Sequence, residues 1–329
     1  MLSSARSAAK WLALGVLGSE AAAARKIDAI RKAGALTILN LHRVAPDDGS
    51  SYPPLDPAMF EALLIFASRH FELVTFADLD RPPATGKPRM ILSFDDGYAD
   101  FAEHAAPLLA RRGIRVNHNI IPECVENGLP PLNVILQDFV GRASDDALRA
   151  LEVPGFARQG GEKRGALGNR LSNFIKAKPI SEQKAISDKL LPRLMQAEGF
   201  RPTPMMTLGQ VREMAAVHEV GAHSFCHASL ACETDQFVRQ DAQACRRWFE
   251  EKLSIPMRIY AVPNGSYRAG QLSILRAAGA EQLLLVDEDF SMPASRTHKR
   301  FTFWAHSTAE MRFRATGAFR RPGGERLAA

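Results

Sequence analysis

The chain has 329 residues, 46% of them hydrophobic and 24% charged, a balance that fits a globular protein with room for one large α/β domain or two ordinary ones. Its formal charge of +6 is modest and sits largely near the C-terminus, at Arg312, Arg314, Arg320, Arg321 and Arg326. With no basic stripe interleaved with aromatics, nucleic acid is not an expected partner, whereas anionic substrates or peripheral membrane contact stay open.

At the N-terminus, Arg6 and Lys10 precede Trp11-Leu12-Ala13-Leu14-Gly15-Val16-Leu17, with alanines at 21–24. This reads as an amphipathic helix within an N-terminal helical segment, 1–35. A short signal peptide is the alternative, opposed by the brief apolar core and by Glu20, where cleavage sites take small neutral residues. The matching expectation for location is the cytoplasm, with export as the alternative. No run approaches the roughly 18 apolar residues of a spanning helix. Cys124, Cys226, Cys232 and Cys245 show no CxxC spacing and read as reduced thiols.

Short aliphatic or β-branched runs at 36–44, 71–76, 89–94, 115–122, 219–223, 258–263, 282–286 and 301–305 predict strands. Helical patterns fall between them at 57–69, 99–112, 207–217, 233–253 and 270–278. Strands separated by helices predict parallel β/α units, and seven or eight of these suit a closed or nearly closed barrel with its chemistry at the C-terminal strand ends. The fold expected is therefore α/β, a distorted (β/α) barrel of about seven strands over 36–306. The alternation lapses at about 127–204, where Pro130-Pro131, Gly160-Gly161 and many charges predict a helical insertion; a lid over the substrate entrance is its sharper reading. From 307 to 329 the chain turns basic, and Pro322-Gly323-Gly324 helps predict a frayed tail.

Two motifs stand at predicted strand ends. Ser93-Phe94-Asp95-Asp96-Gly97 directly follows the apolar run Met90-Ile91-Leu92. Two adjacent acids after a buried strand must lie at its mouth, because unpaired carboxylates inside a core are prohibitive. One carboxylate can grip a cation while its neighbour handles a proton. A solvated Asp-Asp-Gly turn is the plainer alternative. His223-Ser224-Phe225-Cys226-His227 follows the strand predicted at 219–223, and two histidines four apart meet on one face if the segment is helical. One Asp with two His makes an N,N,O set that leaves coordination positions open for water and substrate.

These residues resemble the polysaccharide deacetylases, the NodB-like carbohydrate esterases. Ser93–Gly97 is similar to their Ser/Thr-Phe-Asp-Asp-Gly motif, and His223–His227 to their His-Ser/Thr-x-x-His motif. Ile38-Leu39-Asn40-Leu41-His42-Arg43-Val44 looks like the Met-Tyr-His-Arg-Val opening strand, and Ala261-Val262-Pro263-Asn264-Gly265 resembles the third motif, ending Pro-x-Gly. The likeness runs from about Leu36 to Arg300 with motif order and spacing kept. It implies a divalent metal, zinc by expectation, on Asp96, His223 and His227. It further implies Asp95 as general base and the Asn264 backbone N–H as oxyanion donor.

The chain departs from the commonest pattern where the third motif opens. Members of the best-known type have an Arg there that orients the catalytic Asp. This chain has Ala261, like the branch reading Phe-Ala-Tyr-Pro-x-Gly, so another residue must hold Asp95. For the general acid, the resemblance points to a late histidine, with His306 first and His298 second. His42 is set either near the site or in a structural role. Asn117 and Asn119, which alternation places on the face opposite His118, either line the barrel mouth or make interior hydrogen bonds. Tyr267 and Arg268 are candidate sugar contacts, Trp304 a sugar platform or core, Trp248 core, and Cys226 a packed thiol.

The function expected is metal-dependent removal of N-acetyl groups from a sugar in a polysaccharide, oligosaccharide or glycolipid precursor. The alternatives are O-acetyl ester or other amide hydrolysis at the same site, or a non-catalytic carbohydrate-binding protein on this scaffold. A non-haem iron oxygenase fits the ligand types but not their order.

Overall fold

A computed structural model describes residues 14–322. Its strands are β1 (Thr37–Leu41), β2 (Glu72–Leu73), β3 (Arg89–Phe94), β4 (Asn117–Ile120), β5 (Glu219–Ala222), β6 (Ile259–Ala261), β7 (Gln282–Leu285), β8 (Thr297–Lys299) and β9 (Phe301–Thr302). β1, β3, β4, β6 and β7 are buried along their whole length, as strands covered on both faces of a parallel sheet must be. All ladders are parallel, in the order β8-β7-β6-β5-β4-β3-β1-β9, with β2 beside β3.

The two ends of that row are neighbours in the chain. β8 pairs with β7, β9 pairs with β1, and only Arg300 lies between them. One stretch of backbone therefore leaves one edge and joins the other, closing the sheet into a distorted (β/α) barrel of the expected size. The segment Thr297–Lys299 was not anticipated as a strand because Thr-His-Lys carries no apolar run.

Helices flank the barrel: α1 (Glu20–Lys32), α2 (Pro57–His70), α3 (Leu132–Arg142), α4 (Arg164–Lys176), α5 (Ile180–Met195), α6 (Leu208–Ala215), α7 (Asp235–Trp248), α8 (Ala269–Ala277) and α9 (Thr308–Ala315), with shorter helical turns between. α2 shows why such segments form. Asp56 caps its first turn by accepting from the Ala58 and Met59 N–H groups, Pro57 opens it, and Phe60, Leu63, Leu64 and Ala67 make one buried face. α3, α4 and α5 assemble a second core around Leu136, Phe139, Leu171, Ile175, Leu190 and Phe200. Among the described residues no helix is long and apolar enough to cross a membrane.

The frayed tail expected from 307 is not what forms. α9 buries Met311, Phe313 and Ala315 and packs against α2 and α1. Arg312 donates to the Gly18 carbonyl at 2.7 Å. The arginines between these apolar residues mask their periodicity in the sequence. Arg6, Lys10 and Trp11-Leu12-Ala13 at one end, and Gly323-Gly324 with Arg326 at the other, lie outside the described residues.

The barrel interior is layered, as alternation along closed strands dictates. Leu36, Ile38, Ile91, Ile259, Ala261 and Leu284 form an apolar plug. Toward the C-terminal ends the layer becomes polar yet stays buried: Asn40, Ser93, Asn117, Asn119 and Arg300. The paired acids stand directly above.

Candidate active site

Asp95 continues the β1–β3 ladder, its N–H donating to the Leu41 carbonyl at 2.9 Å. At Asp96 the backbone turns left-handed, φ 77°, so two adjacent carboxylates part company. Asp95 points down into the polar layer. Arg300 grips it with both outer nitrogens, Nη1 to Oδ1 and Nη2 to Oδ2, each at 2.8 Å. The Asn119 amide donates to Oδ1 at 2.8 Å. Burial alone would raise this acid, but the Arg300 guanidinium, then His223, hold it well below the usual carboxylate range.

Arg300 is thus the residue that replaces the missing arginine of the third motif, reached from the barrel closure. It is fully buried, and it also donates to Asn40 Oδ1 at 3.1 Å, Ser93 Oγ at 3.0 Å and the Leu285 carbonyl at 3.2 Å. Asn117 accepts from Ser93 Oγ at 2.7 Å and from the Asn119 amide at 2.9 Å. Asn117 and Asn119 therefore belong to the bed under Asp95 and do not line the mouth. Gly221 makes room for this bed, since a Cβ there would lie 2.2 Å from Asn119 Oδ1. The signal for Arg300 was present but faint: a charged residue in the same alternation phase as Thr302, at the head of a predicted strand.

Asp96 points the other way. Its Oδ1 lies 3.4 Å from His223 Nε2 and 3.5 Å from His227 Nε2, and this buried oxygen has no hydrogen-bond partner. The two imidazoles come together through a turn, not through the helix that the four-residue spacing suggested. Ser224 and His227 both have positive φ, 59° and 62°. Asp241 of α7 pins this turn from beneath, accepting from Ser224 Oγ, the Phe225 N–H and Tyr260 Oη, each at 2.9 Å. His223 Nδ1 meets the Ala261 carbonyl at 3.0 Å, which fixes its tautomer and aims Nε2 at Asp96. Burial lowers His227 to about 3 against the pull of Asp96, so it is a neutral imidazole, the form that ligates metals.

The three ligand atoms of Asp96, His223 and His227 lie within 4.8 Å of one another. Ligands on a tetrahedral cation with bonds of 2.0–2.1 Å stand about 3.4 Å apart, and the two Asp–His spacings here match. Together with the orphaned Asp96 oxygen, the donor set fits a divalent metal. Asp95 Oδ2 lies 3.9 Å from His223 Nε2, adjacent to this cluster but turned to Arg300.

A cleft of about 470 Å³ opens over these residues, lined also by His42, Tyr52, Asn264 and, from the helical stretch, Asn133, Gln137, Ser172 and Lys176. His42 is thus a cleft residue. Burial lowers its pKa, opposed by Asp96 and Asp95, and its ring meets Tyr52 edge-on at 6.3 Å. Asn264 sits left-handed at φ 58°, its amide donating to Ser229 Oγ at 3.0 Å. Among the described residues seven non-glycine residues have positive φ, and three of them, Asp96, His227 and Asn264, line the cleft. Backbone held in that region is a cost tolerated where geometry matters.

Other candidates fall elsewhere. His306 is exposed, its ring against Trp304 at 3.7 Å, outside the cleft. The strand that should deliver it ends at Thr302. His298 is buried beside Gln282 and Phe76, at the apolar end of the barrel. Tyr267 sits beside Asp287, and Arg268 is tied to Asp235 at 2.7 Å. Trp248 is core, donating to Glu126 at 2.9 Å, and the half-buried Cys226 thiol turns to Asp241. All four cysteines are free.

Comparison with known proteins follows the same lines. Residues 193–283 match the family model described as polysaccharide deacetylase, the stretch that holds His223, His227 and Pro263-Asn264-Gly265. Comparison with curated proteins gives no sequence match. Among solved structures, the deacetylase PplD of Streptococcus pyogenes superposes with a TM-score of 0.55 at 14% identity, over 86% of this chain and 98% of that one. IcaB from Ammonifex degensii gives 0.54 at 18%, over 86% and 97%. A polysaccharide deacetylase of Bacillus cereus gives 0.54 at 12%, over 86% and 69%. At these identities the structures speak for the fold, and the family match speaks for the His-bearing half of the site. Over residues 193–283 the chain is thus similar to the polysaccharide deacetylase family, and over most of its length it shares the fold of the deacetylase PplD.

Proposed function

We propose that this protein is a metal-dependent deacetylase that removes an N-acetyl group from an amino sugar, with Asp96, His223 and His227 holding the metal. The observation that carries this reading is the orphaned Asp96 oxygen facing two imidazoles, beside a second carboxylate that Arg300 keeps charged. Zinc is the metal proposed, since an N,N,O set with open positions suits it. When bound, such an ion acidifies water and polarises the acyl carbonyl.

The protein's own residues do the rest. Asp95 stays ionised over the working pH range and accepts the proton of the attacking water; Oδ2, the oxygen nearer the cluster, is its accepting atom. The Asn264 backbone, held left-handed at the cleft, supplies the N–H for the developing oxyanion. His42 takes the role first given to His306, relaying to the departing amine the proton that Asp95 took from the water, because it is the further imidazole lining the cleft among the described residues. The acetate bound in the Streptococcus pyogenes deacetylase is the product this reaction would release.

The test is acetate release from a panel of N- and O-acetylated saccharides, with and without chelator, on protein analysed for metal. About one divalent ion per chain and chelator-sensitive N-deacetylation are expected. Asp95→Asn should keep the metal and lose activity by roughly 10²–10⁴-fold. Metal-free wild-type protein, or an Asp95→Asn variant of normal activity, would overturn the assignment. Release from O-acetyl substrates alone would make the enzyme an esterase.

A further inference from the structure

The wall of the cleft opposite the strand ends is built by the helical stretch between β4 and β5. α4 turns Asn169, Ser172, Asn173 and Lys176 to the cleft, a spacing of three, four and seven that lays them along one helix face. α3 adds Asn133 and Gln137, one turn apart. Leu171 and Ile175 of α4, and Leu136 and Phe139 of α3, go into the second core. Each helix thus has its apolar side spent on folding and a polar side facing the site. Asn133 and Gln137 are 2% and 5% exposed; the Asn133 amide donates to Ser172 Oγ at 3.5 Å, whereas Gln137 makes no side-chain hydrogen bond among the described residues. A buried amide without a partner, aimed into a cleft as Gln137 is, awaits a polar ligand.

Lys176 is the distinctive member of this wall. A lysine in the last turn of a helix needs no ligand to explain it, since the helix dipole favours a cation there. Lys176, however, is half-buried, lines the cleft, and has neither a hydrogen bond nor a carboxylate within 4.0 Å among the described residues. Burial lowers its pKa, with Asp96 pulling the other way. The carboxylates lining the cleft are already committed, Asp95 to Arg300 and Asp96 to the proposed metal. Among the described residues no carboxylate of the cleft is left to balance the ammonium.

We infer that the substrate is an acetylated amino sugar bearing an anionic group, phosphate or carboxylate, which Lys176 receives while the amides of α3 and α4 hold the sugar hydroxyls. This inference rests on the deacetylase reading of the same cleft. It makes the helical stretch the part of the molecule that selects the substrate, with the chemistry left to the barrel.

Titration calorimetry on the zinc-loaded Asp95→Asn protein, which holds substrate without turnover, tests the inference. The probes are N-acetylglucosamine and N-acetylgalactosamine, their 1-phosphates, and the corresponding uronates. At least one charged form should bind about tenfold more tightly than its neutral parent, as a charge-assisted contact implies. Adding Lys176→Gln should remove most of that advantage and leave the neutral sugar within about twofold, whereas Lys176→Arg should retain it. Phosphate against uronate identifies the source of the anion. Equal binding of charged and neutral sugars, or an anion preference that survives Lys176→Gln, would overturn the inference. If no acetylated sugar releases acetate from the wild-type enzyme while the Lys176-dependent preference persists, the deacetylase reading fails and the anion site stands.

Discussion

From a fully buried position the Arg300 guanidinium gives two donors to Asp95, so removing it would strand a carboxylate inside the barrel. An uncompensated buried charge costs about 3–5 kcal/mol. Arg300→Met is therefore expected to lower both stability and kcat/KM, the latter by roughly 100-fold or more, since a misaligned base loses its attack geometry. Metal stoichiometry should be kept, because Asp96 and the two histidines do not contact Arg300. Arg300→Lys, one point charge in place of a fork, should fall between. Kinetics paired with metal analysis separates this positioning role from a loss of metal.

His118 supplies a residue-scale prediction of another kind. It is fully buried between Phe94 and Phe101, neither ring nitrogen has a partner, and burial lowers its pKa to about 3. The unfolded imidazole binds a proton below about 6.5, while the folded one does not until about 3. In that window the unfolded state holds more protons, so stability is full above pH 6.5 and declines as the pH falls. One such group contributes a slope of about 1.4 kcal/mol per pH unit. Urea titrations of His118→Leu should show a shallower decline between pH 6.5 and 4 than wild type, with His218, lowered by burial to about 4, retaining its own share. An unchanged slope would show that His118 is not the group responsible.

Among the elements, the turn after β5 departs most from its sequence reading. The spacing of His223 and His227 suggested a helix face, yet a left-handed turn brings them together, held by Asp241 of α7. Asp241 follows in a helix whose pattern marks it only as a polar position. Asp241→Ala removes the acceptor for Ser224, Phe225 and Tyr260. Zinc affinity is expected to fall about 10–100-fold, as for outer partners of metal ligands generally. Asp241→Asn, which keeps one acceptor oxygen, should lose less. Competitive chelator titration reads both. The run at 89–94, by contrast, is β3 to the residue, because a continuous aliphatic stretch stopped by two acids leaves its ends no freedom.

Considered as a whole, the molecule closes its barrel through one irregular stretch, Thr297–Thr302, in which Arg300, the link between β8 and β9, is the Asp95 anchor. Closure and catalytic alignment therefore share a residue. The proposed metal ligands come from the residue pair after β3 and from the turn after β5, so an ion bound there would tie together parts of the chain more than 120 residues apart. A ligand present at 100 times its dissociation constant stabilises the folded state by about 2.7 kcal/mol. Chelator treatment of the wild-type protein should lower Tm by a few degrees, and zinc should restore it. His227→Ala should already show the lower midpoint and respond to neither, as differential scanning calorimetry would report.

The sequence by itself determined the alternation of strands and helices, the barrel class, the two acids at a strand end and the His pair downstream. Each of these is a local pattern: a periodicity, a run with a stop, or a short motif whose residue types carry their chemistry. Only the tertiary structure decided that Arg300 holds Asp95, that Asn117 and Asn119 serve it from below, that His42 and not His306 faces the cleft, and that Lys176 shares that cleft. These relations depend on how strands distant in sequence register around a closed barrel, and on which side of an inserted helix is already occupied by its own core. No local pattern encodes either, because the partners of a buried polar group are chosen by the whole chain's packing.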